Sequence, residues 1–188
     1  MHRYYYKKNA ISEEDCDNFL KSCETKQFST GGVIMPVDDN KEEIQENTLM
    51  RKAKIHALNA EHLFARVIWS YILEFNNHFK LSLNGYEAPQ ITKYDEIDDH
   101  YCWHKDVDHA DNKPIHRKLS AILQLSKSTD YKGSELKLFS GPLGEEDLPI
   151  GEQGDIIVFR SEEWHKVTPL IEGTRYSLIM WATGNRIV

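Results

Sequence analysis

The residues with the clearest chemical potential are His104 and Asp106, which lie in the run Tyr101-Cys102-Trp103-His104-Lys105-Asp106-Val107. Aromatic and β-branched residues in this run predict a β-strand, where side chains two apart point to the same face. One imidazole and one carboxylate would then enter the same space. His165, in a second predicted strand, would add another imidazole. Two histidines and one carboxylate can hold Fe(II) with coordination positions left open, which predicts Fe(II)-dependent oxygenase chemistry.

The His-x-Asp spacing alone does not define a metal site, because the chain contains it twice. The second pair, His109 and Asp111, lies in Asp108–Pro114, where turn-forming residues leave side chains solvated. His104 has a structural alternative, since a strand histidine can simply hydrogen-bond a carboxylate. His100 has the same strand parity but lies at an acidic turn, and it is the weaker ligand candidate.

A cation on an apolar strand is the second chemical signal. Arg175 lies near the start of Thr174-Arg175-Tyr176-Ser177-Leu178-Ile179-Met180-Trp181, and Ser177 shares its face. An unpaired buried charge costs roughly 3–5 kcal/mol, so Arg175 requires an anionic partner. The carboxylate of an oxo-acid matches the planar guanidinium fork, and a nearby hydroxyl could complete its hydrogen bonding.

Taken in order, these motifs resemble the Fe(II)- and 2-oxoglutarate-dependent dioxygenases, specifically the prolyl-4-hydroxylase-like branch. The similarity covers roughly residues 90–182. Many relatives have Gly-Gly where this chain has Gly133-Ser134. The matching elements are Tyr94 ten residues before His104, the pair His104-x-Asp106, Gly133-Ser134-Glu135-Leu136, Gly154-Asp155, His165-x-Val167-x-Pro169 and Gly173-x-Arg175-x-Ser177-Leu178.

The resemblance implies C–H hydroxylation with release of succinate and CO2, using Fe(II), 2-oxoglutarate, O2 and, as an accessory reductant, ascorbate. The carboxylate ligand favours hydroxylation, because related halogenases leave that position free for halide. The implied substrate is a peptidyl (prolyl) group or a free amino acid. The implied residues are His104, Asp106 and His165 for the metal, Arg175, Tyr94 and Ser177 for the distal carboxylate of 2-oxoglutarate, and Tyr101 and Trp181 for the substrate.

Composition predicts one globular domain over residues 1–188, with 40% hydrophobic and 28% charged residues. No run approaches the roughly 20 apolar residues of a membrane span, and the first residues lack an apolar signal core. With three cysteines in no paired spacing, the chain is expected to be cytoplasmic. A net charge of −7 argues against a broad nucleic-acid surface.

The elements predict a mostly β fold with N-terminal helices (α+β), and the resemblance implies a double-stranded β-helix, or jelly roll. We expect helical support over about 1–80 and the jelly-roll core over about 86–183. The predicted helices run from the Ser12 cap to about Thr25 and onward from Asn59, and the predicted strands are Leu49–Leu58, Ala88–Tyr94, Tyr101–Val107, Lys118–Leu125, Glu135–Phe139, Asp155–Phe159, Trp164–Val167 and Thr174–Ala182.

Two segments are candidate lids. Residues 31–48 are polar and without periodicity, which indicates a surface loop that could also cover a site. Residues 108–114 follow the ligand pair directly and could close over a substrate.

Two other functions stay open at this point. One is a nucleic-acid demethylase of the same superfamily, which would need a cationic groove. The other is a non-catalytic metal-binding jelly-roll sensor, in which Arg175 would have no role toward a cosubstrate. The oligomeric state is not indicated by the sequence.

Overall fold

The computed structural model describes residues 3–38, 41–107 and 114–185. Within them the helices are α1 (Glu13–Cys23) and α2 (Leu63–Phe79). The strands are β1 (Tyr4–Lys7), β2 (Ser29–Thr30), β3 (Val33–Asp38), β4 (Lys41–Gln45), β5 (Arg51–Lys52), β6 (Lys54–Ala57), β7 (Gly85–Tyr86), β8 (Gln90–Tyr94), β9 (His100–His104), β10 (Ile115–Gln124), β11 (Tyr131–Gly133), β12 (Leu136–Phe139), β13 (Glu145–Asp147), β14 (Ile156–Arg160), β15 (His165–Val167), β16 (Leu170–Gly173) and β17 (Arg175–Asn185).

Two larger sheets carry the architecture. The major sheet has the order β1-β14-β10-β17-β8-β6-β2, with β7 also paired to β17. The minor sheet has the order β13-β12-β15-β9-β5. Both contain strands distant in sequence, so residues far apart along the chain become neighbours. The prediction of a mostly β chain with N-terminal helices is confirmed.

Side-chain alternation along the major sheet separates two hydrophobic layers. On β10, Leu119, Ala121 and Leu123 contribute to the cluster that contains the helices. Ile122, between them, belongs instead to a cluster with Leu138 of the minor sheet. Because both faces of β10 are buried, its sequence is a nearly continuous apolar run. Side chains two apart on a strand share a face, so the polar residues of β10 on the Ile122 face point into the space between the sheets.

The two helices cover the outer face of the major sheet. Ser12 caps α1 by accepting a hydrogen bond from the Asp15 backbone amide, as the sequence predicts. The predicted aromatic and aliphatic stripe of α2 is buried, with Ile68 and Ile72 fully inaccessible. No described helix has the length and apolar character needed to cross a membrane.

We expect Ile68→Ala to destabilise the fold by about 2–5 kcal/mol, because it removes a fully buried side chain from this packed layer. The free energy of unfolding from a urea titration would measure the loss. The control is Leu73→Ala on the exposed side of the same helix, where a change within about 0.5 kcal/mol is expected. Equal losses in the two variants would contradict this packing.

The N-terminal part differs from the prediction of a helical support, because it supplies strands to both sheets. The strand β1 pairs with β14 at one edge of the major sheet. The predicted strand Leu49–Leu58 is split at Ala53: β5 joins the minor sheet and β6 joins the major sheet. Local sequence patterns gave no sign of these pairings, since each is made with a strand far away in the chain.

The prediction of a surface loop over residues 31–48 is wrong for most of that segment. The strands β3 and β4 form a two-stranded antiparallel hairpin there. Its sequence lacks clear alternation because the hairpin joins neither larger sheet. The predicted lid over 108–114, which contains His109 and Asp111, lies outside the described residues except for Pro114.

Candidate active site

Three candidate metal ligands come together between the sheets. His104, Asp106 and His165 each offer a ligand atom, and these atoms lie within 4.8 Å of one another. The Asp106 carboxylate is central, because Oδ1 lies 3.6 Å from His104 Nε2 and Oδ2 lies 3.5 Å from His165 Nε2. His165 pairs directly with His104 across β15 and β9. His100 is elsewhere, with its two ring nitrogens against the carbonyls of Asp98 and Leu49.

Contrary to the prediction from their spacing, His104 and Asp106 do not lie on one face of a single strand. The strand β9 ends at His104, and Asp106 lies beyond it, with its backbone amide bonded to the Ser161 carbonyl at 2.9 Å. A register shift opposite β15 also places an extra residue between Tyr101 and His104. Such a bulge re-aims side chains. As a result the rings of Tyr101 and His104 stack, with centroids 3.4 Å apart.

The hydrogen bonds of both imidazoles suit metal binding. His104 Nδ1 lies 2.8 Å from the Cys102 carbonyl and His165 Nδ1 lies 2.9 Å from the Glu163 carbonyl. A carbonyl can only accept, so each Nδ1 carries the proton and each Nε2 presents its lone pair. Histidines that bind metals are usually held in this way. Both imidazoles are therefore in the Nδ1-protonated tautomer, which leaves Nε2 free to bind a metal.

The protonation states point in the same direction. Burial lowers the pKa of His165 to about 4, and the nearby His104 ring adds to the effect. Burial alone would raise the pKa of Asp106, but the two imidazoles and the Ser120 hydroxyl outweigh it and hold that pKa below its usual range. With both Nε2 atoms unprotonated, the Ser120 hydroxyl is the side-chain donor that still favours the ionised carboxylate. A neutral imidazole and an ionised carboxylate are the forms that bind Fe(II), so the donor set fits this metal.

Ser120 supports the carboxylate and was missed in the sequence. Its hydroxyl donates to Asp106 Oδ2 at 2.6 Å and also contacts Ser161 Oγ at 2.9 Å. All three residues are buried. The signal that the sequence offered was a single hydroxyl residue within the apolar run of β10. Only the folded structure shows that this position faces the other sheet.

We expect Ser120→Ala to weaken metal binding about tenfold, because the carboxylate loses the donor that orients it. Anaerobic titration with Mn(II) would measure the affinity. Ser161→Ala serves as the graded control, since its hydroxyl reaches the carboxylate only through Ser120, and a smaller effect is expected. Unchanged affinity in Ser120→Ala would show that the carboxylate is oriented by other contacts.

The second predicted group lies further along the same interior face. Arg175 is buried, and its Nε donates to Gln124 Oε1 at 3.1 Å. Its guanidinium carbon lies 5.7 Å from the ring centroid of Tyr94, the residue opposite it on β8. Ser177 is buried two residues along β17, opposite Gln124 on β10. No described acidic side chain pairs with Arg175.

The register of β10 relates the two groups to each other. Ser120 hydrogen-bonds the Asp106 carboxylate, and Gln124 hydrogen-bonds the Arg175 guanidinium. Four residues of strand separate them, which corresponds to roughly 13 Å between backbone positions. The candidate metal ligands and the guanidinium therefore lie beside two different positions of one strand, on its interior face.

A cavity of about 550 Å³ opens at the Arg175 end. The candidate metal ligands do not line this cavity, so their donor chemistry, and not the size of the opening, marks them as a candidate site. Among the predicted residues only Arg175 lines it, together with residues of β11, β12 and the chain after β13.

The two predicted substrate residues lie toward the metal end. Tyr101 stacks on His104, and Trp181 lies opposite Ser120 across the β10–β17 pair. The Trp181 ring is covered by the Arg117 guanidinium at 3.8 Å. Trp103, on the bulge, instead contacts the edge of Phe139. The structure therefore places Tyr101 and Trp181 near the cluster and separates Trp103 from it.

Arg51 is a second buried guanidinium, and nothing in the sequence singled it out. Its guanidinium carbon lies 4.7 Å from the Tyr101 ring centroid, and its Nη1 donates to the Gly32 carbonyl at 3.2 Å. Its Nε is buried and has no hydrogen-bond acceptor among the described residues. No described acidic residue pairs with Arg51. The sequence gave no signal because its strand, β5, has only two residues.

Two known proteins are similar to this chain in sequence. A PKHD-type hydroxylase of Synechococcus sp. (strain CC9902) is 39% identical over 88 residues, which is 46% of this chain and 37% of that protein. The PKHD-type hydroxylase YbiX of Shigella flexneri is 26% identical over 180 residues, covering 94% of this chain and 76% of YbiX. The chain thus matches well under half of the length of the first of these relatives.

A solved structure supports the fold. The prolyl-4-hydroxylase of Pseudomonas putida superposes with a TM-score of 0.70 at 19% identity, covering 100% of this chain and 95% of that one. This confirms the predicted double-stranded β-helix. The family model described as "2OG-Fe(II) oxygenase superfamily" matches residues 89–183, just over half of the chain. Fe(II) and 2-oxoglutarate are the metal and cosubstrate of that family, and the chain belongs to the 2OG-Fe(II) oxygenase superfamily.

Proposed function

We propose that this chain is a 2-oxoglutarate-dependent hydroxylase that acts on a C–H bond of a peptidyl, foremost prolyl, or free amino-acid substrate. The observation that carries the proposal is the position of two groups on one interior face. A ligand-competent cluster of two imidazoles and one carboxylate lies at one end. At the other end lies a buried guanidinium that has no acidic partner within residues 3–38, 41–107 and 114–185. A cation bound to the cluster and an oxo-acid carboxylate bound to the guanidinium would complete both ends.

His104, Asp106 and His165 would hold the metal. When bound, Fe(II) supplies the oxygen chemistry that C–H hydroxylation requires. The protein's part is to keep both Nε2 atoms unprotonated and the carboxylate ionised. The carbonyls of Cys102 and Glu163 do the first, and Ser120 contributes to the second.

Arg175 would bind the distal carboxylate of 2-oxoglutarate, with Tyr94 and Ser177 beside it. The Gln124 amide fixes Arg175 Nε, which leaves the outer nitrogens of the guanidinium to meet a carboxylate side-on. Burial makes this charge pair strong, because water does not compete with it. The same burial explains why an unfilled guanidinium would be costly without such a role.

Tyr101 and Trp181 would form the substrate end, close to the metal. Arg51 favours a substrate that carries a carboxylate, such as a free amino acid or an acidic peptide. Its guanidinium lies over the Tyr101 ring and has no acidic partner among the described residues. Hydroxylation of a carboxylate-bearing compound is therefore the first choice to test within the proposed substrate class.

The test is a substrate screen with Fe(II), 2-oxoglutarate and ascorbate, using free amino acids and prolyl peptides. Succinate release and an oxygen-dependent gain of one oxygen atom in the substrate are the expected results. The Asp106→Ala protein is the matched negative control. Metal binding without any succinate release would favour the non-catalytic sensor, and turnover of a methylated oligonucleotide alone would favour the demethylase.

An Arg51→Gln variant extends the screen to the substrate contact. We expect it to raise KM for a carboxylate-bearing substrate and to leave 2-oxoglutarate turnover without substrate unchanged. Equal KM values in the variant and the unmodified protein would remove Arg51 from the substrate site and leave the proposed reaction intact.

A further inference from the structure

Ser134 has two unfavourable features at once. Its backbone adopts φ +52°, in the left-handed region that favours glycine. Its side chain is fully buried, and its Oγ has no hydrogen-bond partner in the part of the chain that the structure describes. Local strain and an unsatisfied buried hydroxyl are both uncommon, and they persist together where a site makes use of them.

The neighbouring contacts show that the backbone conformation is imposed by the fold. Gly133 precedes Ser134 at φ +75°, and a Cβ there would lie 2.3 Å from the Pro169 carbonyl oxygen. The Ser134 amide donates to the same carbonyl at 3.0 Å. The turn therefore holds Ser134 in place whatever its side chain. A glycine would fit this conformation without strain, so the hydroxyl is the distinctive feature of this position.

Ser134 and Arg175 line the same cavity. Tyr131 lines it too, and its hydroxyl oxygen accepts a hydrogen bond from Gln124 Nε2 at 3.1 Å, which leaves the hydroxyl hydrogen free to donate. The same Gln124 side chain holds Arg175 Nε. The inner part of the cavity therefore presents hydrogen-bond donors: the guanidinium and two hydroxyl groups.

The acidic residues of this cavity do not offset those donors. Glu135 and Asp147 are at its exposed rim, and both pair with Lys137, at 3.1 and 2.6 Å. Their charges are directed outward toward that lysine. A ligand with several acceptor atoms and a negative charge fits the inner part, and a carboxylate is such a group.

We propose that Ser134 Oγ donates a hydrogen bond to the distal carboxylate of 2-oxoglutarate, beside Arg175. Ser134 is then a positioning and specificity residue for the cosubstrate. The inference rests on the proposed function, because it assumes that 2-oxoglutarate is the ligand of Arg175. It explains why a strained, buried hydroxyl is found where glycine would fit better.

The test measures cosubstrate binding without turnover. The Mn(II)-loaded protein is titrated with 2-oxoglutarate in the absence of O2 by calorimetry, for the unmodified chain, Ser134→Ala and Ser134→Gly. Each is also titrated with 2-oxovalerate, in which a methyl group replaces the distal carboxylate. We expect both variants to bind 2-oxoglutarate about tenfold more weakly, the effect of losing a hydrogen bond to a charged group, and to bind 2-oxovalerate unchanged.

The two variants separate the hydroxyl from the backbone. Ser134→Gly relieves the left-handed strain and should melt at a higher temperature than Ser134→Ala, yet both lose the same affinity. Unchanged 2-oxoglutarate binding in both variants would overturn the proposal, as would an equal loss for 2-oxovalerate. An unmodified chain that binds no 2-oxoglutarate would instead overturn the proposed function.

Discussion

Replacing Asp106 with alanine is expected to abolish succinate release and to lower metal affinity by more than about 100-fold, beyond the loss seen when only an outer partner of a ligand is removed. The carboxylate is the one anionic donor of the cluster, and its oxygens lie 3.5 and 3.6 Å from the two imidazole nitrogens. Two neutral imidazoles alone would hold a divalent cation weakly. Anaerobic Mn(II) titration and succinate assays measure the two effects.

The protein should survive this change, so the result can be interpreted. Removing the carboxylate leaves no unpaired charge, since burial keeps His165 neutral at pH 7. Ser120 retains Ser161 as a hydrogen-bond partner. Asp106→Asn is the matched variant, because it keeps the size and the Ser120 contact but removes the charge. Full succinate release by either variant would contradict the assignment of this metal site.

The candidate site residues could be picked out from the sequence because they carry distinctive side chains at constrained places. A histidine in a strand and an arginine at the head of an apolar strand are each unusual enough to be noticed. The partners of these groups were not. Ser120 and Gln124 are ordinary polar residues, and only the folded structure shows that they share the interior face of β10 with Ile122.

The fold was predicted where local pattern determines structure. The α2 stripe and the β10 and β17 runs carry their periodicity in sequence. The bulge in β9 has no such local pattern, because it depends on the register with β15. That bulge, and not strand alternation, puts Tyr101 and His104 on one face. The sequence therefore brought the three candidate ligands together, but partly on a wrong account of their geometry.

Arg175→Ala should raise KM for 2-oxoglutarate at least about 30-fold, since truncating one partner of a buried charge pair costs about 2–5 kcal/mol. The effect should fall on KM more than on kcat, because the distal carboxylate is bound equally in the ground and transition states. Steady-state succinate release over a range of 2-oxoglutarate concentrations measures both. Arg160→Ala is the control, because Arg160 is a strand arginine that pairs with Glu162 instead.

Arg175→Lys separates charge from geometry at the same position. Lysine retains the positive charge but not the planar fork, and it cannot reproduce the Nε bond to Gln124 together with a two-point contact to a carboxylate. We therefore expect a KM between those of the unmodified protein and Arg175→Ala. If alanine and lysine gave the same KM as arginine, no charge at this position would contact the cosubstrate, and the buried guanidinium would need a different anionic partner.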